Sequence, residues 1–191
     1  MRNIIQQNLA GKRVFGLFVL TNVVYLMMLL ITIPNVMSFS HGMNLLDMMP
    51  TGYSHEYVSS LLSTLGNGGR DAYLYHQIPV DMIYPFLFGV SSCLVLAYFL
   101  NKLNKLKGSL FYLCFIPLFS GLFDYSENVG IIGMLNSYPN NSVLLSQITS
   151  TFSILKSGCT VTYFIVLTML LLVLGVNVLR NNLNPKNNNS A

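Results

Sequence analysis

The sequence predicts an all-α polytopic membrane protein, an up-down bundle of four transmembrane helices with a helical outer loop. Three observations predict it. Four stretches are long and apolar enough to cross a bilayer. Only 8% of the 191 residues are charged while 53% are hydrophobic, with a mean hydropathy of +0.57, a balance that suits lipid rather than water as the solvent. The basic residues also flank those stretches asymmetrically, as they do when they orient a chain in a membrane.

A spanning helix needs about 20 apolar residues, because roughly 30 Å of hydrocarbon is crossed at about 1.5 Å per residue. The first stretch runs from Val14 to Ile33 and ends at Pro34. It exceeds the roughly 7 to 15 apolar residues of a signal peptide and lacks an Ala-type cleavage site after it, so it reads as a retained helix. The outer loop, Asn35 to Gln77, is too long for a plain connection and predicts structure of its own. In it Ser54 can cap a helix whose Val58, Leu61, Leu62 and Leu65 form an amphipathic stripe ending at Gly66. A second helical start follows from Arg70 and leads into the second span, Val80 to Leu100.

The third span runs from Leu110 to Leu135. The fourth, Ser153 to Leu179, is the inner part of a helix that begins near Ser142. Pro85 and Pro117 each remove a helical hydrogen bond, which predicts kinks in the second and third spans. Residues 1–180 form one domain, and the Asn-rich residues 181–191 read as a disordered cytoplasmic tail.

Orientation follows from the cations. Arg2, Lys12 and Arg13 precede the first span, Lys102, Lys105 and Lys107 join the second to the third, and Arg180 and Lys186 follow the fourth. Lys and Arg near helix ends mark the cytoplasmic side, which places both termini there. Only Arg70 lies in the outer loops, and Lys156 lies within the fourth span. All six acidic residues and the three histidines fall in the outer loop or the spans.

Composition and motifs exclude several classes. The net charge of +4 resides in short flanks beside apolar stretches, which argues against nucleic acid as a partner. Cys93, Cys114 and Cys159 all lie in apolar segments, so no disulfide framework is indicated. Met37, Met43, Met48 and Met49 with His41 and His55 offer soft donors for copper(I), but their irregular spacing favours methionine as apolar filler. No metal site or cofactor is expected. No phosphate-binding glycine loop, HExxH motif or CxxC pair occurs, and the serines lack a histidine at a recognisable spacing.

One polar cluster stands out. In the third span Asp124, Glu127 and Asn128 occupy positions i, i+3 and i+4, so all three project from one face. Counting from Leu110, Asp124 lies about 21 Å and Glu127 about 26 Å along a core of about 30 Å. Lys156 in the fourth span and Asp81 in the second fall at similar depth. Asp81, Tyr84, Pro85 and Phe88 form one stripe, and Lys156, Cys159, Thr160 and Tyr163 form another, which can face the acids. Two readings compete: Lys156 pairs with Asp124 or Glu127 to hold the bundle together, or the cluster lines a pocket for an ion or small ligand. Ser126, Gly130 and Gly133 offer a small-residue face for close helix packing, and Thr21 and Asn22 of the first span offer interhelical hydrogen bonds.

The run Leu61-Leu62-Ser63-Thr64-Leu65-Gly66, then Gly69-Arg70-Asp71-Ala72-Tyr73, Asp81 with Tyr84-Pro85, Phe123 to Asn128 and Leu155-Lys156 resembles a family of small bacterial four-helix membrane proteins of unassigned function. Its most distinctive piece is the Asp-x-x-Glu-Asn run of the third span. The resemblance implies membrane location and four helices, and brings no activity. A looser architectural likeness is to the sterol-isomerase and sigma-2-receptor superfamily, which also surrounds a lipid-like ligand with helices bearing buried acids.

Three functions remain open from the sequence. The chain binds a small molecule, lipid or ion in an outward-facing pocket lined by Asp81, Tyr84, Asp124, Glu127, Asn128 and Lys156. Alternatively it is a membrane-embedded enzyme on a lipid-like substrate with paired carboxylates, or a structural or accessory membrane protein. The lipid bilayer is the one partner all three share.

Overall fold

The computed structural model describes residues 2–183. All regular structure among them is helical, and four helices are long and apolar enough to span a membrane. A short helix α1 (Arg2–Gln7) precedes α2 (Gly11–Met27), which passes through a π-helical turn at Met28–Thr32 into α3 (Ile33–Met37). Pro34 therefore does not end the first long helix. It sits in the first turn of α3, where its missing N–H is no loss, and the wider turn before it relieves the clash its ring makes with the carbonyl four residues back. The same device recurs further along the chain. A π turn at Tyr73–Gln77 leads into α5 (Ile78–Asp81), with Pro79 in its first turn. The two π turns meet, and the Thr32 hydroxyl donates to the side-chain oxygen of Gln77.

The long loop between these turns is built around α4 (His55–Ala72). Ser54 caps it by accepting the Tyr57 N–H at 3.2 Å, and Val58, Leu61, Leu62 and Leu65 are all buried. At Gly66 the backbone turns to φ +60°, ψ −172°, a conformation glycine adopts without the penalty a Cβ would bring. The break leaves carbonyls of the preceding turn unsatisfied. Arg70 answers for one of them: its guanidinium donates to the Leu62 carbonyl at 2.7 Å and lies 4.2 Å from the centre of the Tyr138 ring. The loop helix is thereby fastened to the end of α7.

Past a turn at Met82 and Ile83 comes α6 (Tyr84–Lys102), then a 3-10 segment at Ser109–Phe115, α7 (Ile116–Ser137) and α8 (Val143–Leu183). Pro85 and Pro117 occupy the first turns of α6 and α7. They begin helices rather than kink them, because the interruption falls one turn earlier, where no N–H of a proline is required. The tail expected over residues 181–191 starts inside α8, and residues 184–191 lie outside the described residues.

The long helices alternate in direction. α2 packs on α6, α6 on α7 and α7 most extensively on α8, with α6 also reaching α8. Gly121 makes the α6–α7 contact close: a Cβ there would stand 2.6 Å from the Pro85 carbonyl oxygen. Gly130 likewise lies directly against Thr149 of α8, the close approach that small residues permit in membrane bundles. Thr21 donates to the Leu87 carbonyl of α6 at 3.3 Å, whereas Asn22 turns back on its own helix and donates to the Phe18 carbonyl.

Two apolar cores result. The loop-end core joins Met28, Val36, Leu45, Leu46, the α4 stripe, Tyr73, Ile131 and Met134. The second, at the end carrying most of the basic residues, joins Phe88, Leu96, Leu100, Leu106, Cys114 and Tyr163. Between them lies a polar layer.

Candidate functional site

The polar layer is assembled from three helices and the loop. On α7, Asp124, Glu127 and Asn128 are 6%, 0% and 0% exposed, which places the whole i, i+3, i+4 set on the packed face. Glycine and serine neighbours on that face, Ser120, Gly121 and Gly130, are buried with it and let α6 and α8 come close. On α8 the packed face reads Ser146, Thr149, Ser150, Ser153 and Lys156 at helical spacing. The first four are buried, while Lys156 retains 17% of its side-chain surface.

Lys156 is the hub. Its ammonium is 3.3 Å from Asp124 Oδ1 and forms a second ion pair with Glu127 Oε2. It also reaches the main-chain oxygen of Asp47 at 3.4 Å. The other oxygen of Glu127 accepts from the Ser153 hydroxyl. One cation thus lies between two carboxylates that would otherwise repel each other in a medium of low dielectric constant. Beside it, Ser120 of α7 hydrogen-bonds the Thr160 hydroxyl at 2.8 Å and donates to the Lys156 carbonyl at 3.2 Å, extending the α7–α8 seam one turn further.

Asp81 ends α5 and is 3% exposed. Its main-chain oxygen accepts from Asn128 Nδ2 at 3.1 Å, which ties α5 to α7. Its carboxyl group makes no hydrogen bond or ion pair among the described residues, and the Asn128 side-chain oxygen is buried without a partner. Tyr84 contributes differently from the other five residues singled out in the sequence. Its ring is sandwiched between Tyr25 and Phe88, with centroids 5.6 and 5.8 Å away, so it forms an aromatic wall joining α2 to α6. No hydrogen bond from its hydroxyl to the cluster is present among the described residues.

The loop closes the layer. Asp47 accepts from the Tyr73 hydroxyl at 2.7 Å and from Gln77 Nε2 at 3.1 Å, so the network continues from Lys156 through Asp47 to the paired π turns. Tyr53 N–H donates to Ser150 Oγ at 2.8 Å, and His55 hydrogen-bonds Ser146 at 3.0 Å. Burial pushes the Tyr53 hydroxyl well above its usual range, so it remains a neutral phenol at the edge of this charged layer. Residues 47–55 thereby run along the polar stripe of α8.

No family model, curated protein or solved structure matches this chain.

The chemistry of the layer is therefore read from its own geometry. Two buried carboxyl groups, Asp124 and Glu127, share one ammonium, and a third, that of Asp81, has no ion-pair partner among the described residues. Among the described residues, no three His, Cys, Asp or Glu side chains gather closely enough to hold a metal ion. Two grooves lie elsewhere. One, of about 480 Å³, is bounded by α1, α2 and α6 and lined by residues such as Leu17 and Leu94; the other, of about 500 Å³, lies by Lys102 and Arg180. Neither is lined by a residue of the cluster.

The sequence brought out Asp81, Asp124, Glu127, Asn128 and Lys156, and it missed Asp47, Ser153, Ser120, Tyr73, Gln77 and Thr32. Ser153 had a legible signal, since Ser146, Thr149, Ser153, Lys156 and Thr160 recur every three or four residues. Asp47 had none, because its contacts are made with residues far away along the chain.

Proposed function

We propose that the four long helices cross a lipid bilayer with the N-terminal segment and the end of α8 in the cytoplasm, and that the polar layer binds a small singly charged cation from the outer side. The bilayer reading is supported by the apolar surface left uncovered. Phe15, Leu30 and Ile31 of the first span and Val161, Leu172 and Val176 of α8 are each 59% exposed or more, an arrangement suited to lipid contact. The orientation is supported by the Lys and Arg flanks.

The observation that carries the cation reading is the Asp81 carboxyl group, which has no hydrogen-bond or ion-pair partner among the described residues although the residue is only 3% exposed, while the one lysine of the layer is already shared by two other acids. A buried carboxylate is stabilised only by a counter-charge or donors. Asp81 and the orphan oxygen of Asn128 both accept, and neither has a donor. An ammonium-sized ion supplies charge and, for ammonium itself, N–H donors. Asp124, Glu127 and Lys156 then act as the frame, and Asp81 with Asn128 as the binding groups. The enzyme reading requires Asp124 and Glu127 to be free as proton donor and acceptor, whereas Lys156 lies between them and pairs with both.

The test is the melting temperature of purified protein in mild detergent, at constant ionic strength, in ammonium, potassium or sodium chloride against N-methylglucamine chloride. Wild type melts higher in at least one small cation, and Asp81→Asn melts at the same temperature in all four. A wild type indifferent to the cation defeats the proposal and leaves the layer as structural glue.

A further inference from the structure

We infer that the groove between α1, α2, α6 and the start of α7 is a binding site for one anionic phospholipid of the cytoplasmic leaflet, its phosphate on Arg13 and an acyl chain along Leu17, Leu94 and Leu118. The inference rests on the bilayer placement proposed above and not on the cation site.

The groove is concave, about 480 Å³, and apolar apart from its rim, within the range of volume that holds a ligand-sized group. The helix faces that meet bulk lipid are convex. Here α1 crosses beside α6, with Ile5 and Leu9 packed on the basic-end core, and so adds a wall that a bare bundle lacks. The floor is formed by Cys93, buried, and by Phe115 and Leu118 at the entry to α7.

The rim decides the occupant. Arg13 lines the groove and is exposed, and its guanidinium makes no ion pair or hydrogen bond among the described residues. Among the described residues no Asp or Glu lines the groove: Asp47, Glu56 and Asp71 belong to the loop, and Asp81, Asp124 and Glu127 to the polar layer. A guanidinium with free donors above an apolar slot that no acid lines matches a phosphodiester attached to a hydrocarbon chain. A second copy of the chain would bring more cations to the same rim, which the charge opposes.

Arg13 also stands among the cations that orient the chain, so the test separates a site from a general basic surface. Detergent-purified protein is titrated with phosphatidylglycerol and with phosphatidylcholine, and bound lipids are counted by native mass spectrometry. Wild type holds one phosphatidylglycerol at roughly fivefold lower concentration than Arg13→Gln, the change expected for about 1 kcal/mol per cation. Lys12→Gln, one residue away and outside the groove lining, binds as wild type does. Leu94→Trp and, independently, Leu17→Trp fill the slot and lose the tight lipid while the melting curve remains cooperative. Equal retention of the two lipids, or equal losses in Arg13→Gln and Lys12→Gln, overturns the inference. A chain that stays soluble without detergent would instead defeat the bilayer reading itself.

Discussion

The ammonium of Lys156 lies 3.4 Å from the main-chain oxygen of Asp47, a residue 109 positions earlier in the chain. The charge that joins α7 to α8 therefore also anchors the loop that covers it. Asp47 in turn uses both carboxylate oxygens on Tyr73 and Gln77. Loop, ion pair and π turns are one connected polar unit, and its members should fail together.

Replacement of Lys156 by methionine removes the cation that pairs with both Asp124 and Glu127 while keeping the side-chain bulk. Leaving a buried charge without its partner costs about 3 to 5 kcal/mol. Lys156→Met should lower the melting temperature and the folded yield sharply, and Lys156→Met combined with Glu127→Gln should recover part of the loss. Size-exclusion profiles and thermal melts in detergent measure both; a wild-type melt for the single variant would contradict the clamp.

Tyr73→Phe removes the hydroxyl that donates to Asp47 without opening a cavity. Loss of a hydrogen bond to a charged group costs about 1.5 to 3 kcal/mol. The local consequence should be faster hydrogen exchange over residues 45–53, with exchange in α8 below Lys156 unchanged. Uniform exchange between the variant and wild type would show that the loop is held by its apolar contacts alone.

At Gly121 a methyl group would meet the Pro85 carbonyl oxygen at 2.6 Å. Backbone cannot swing aside as a side chain can, so α6 and α7 must separate. Gly121→Ala should therefore destabilise by about 1 to 3 kcal/mol, although alanine is the better helix former. A thermal melt reads the sign directly, and a stabilised variant would mean the two helices are not in contact at this level.

Topology can be read with single cysteines in a background where Cys93, Cys114 and Cys159 are alanine. Thr51 and Lys105 are both exposed and lie at opposite ends of the bundle. A membrane-impermeant maleimide applied to intact cells should label Thr51→Cys and leave Lys105→Cys unlabelled until the cells are opened. The reverse pattern would invert the orientation inferred from the cations.

The four long apolar helices, their antiparallel order and the cap at Ser54 were legible in the sequence, because each depends on local composition, periodicity and hydrogen bonding within a turn. So was the face carrying Asp124, Glu127 and Asn128, since helical spacing alone brings those side chains together. The prolines were legible as interruptions but not as helix starts: the π turns before Pro34 and Pro79 depend on how neighbouring segments pack. Tertiary structure alone decided that Lys156 stands between Asp124 and Glu127, that Asp81 presents its main chain to Asn128 and leaves its carboxyl group unpaired, and that Asp47 enters the layer at all. Depth along a helix is set by counting residues, whereas the rotation of one helix against another and the path of a loop are set by packing between residues far apart in the chain.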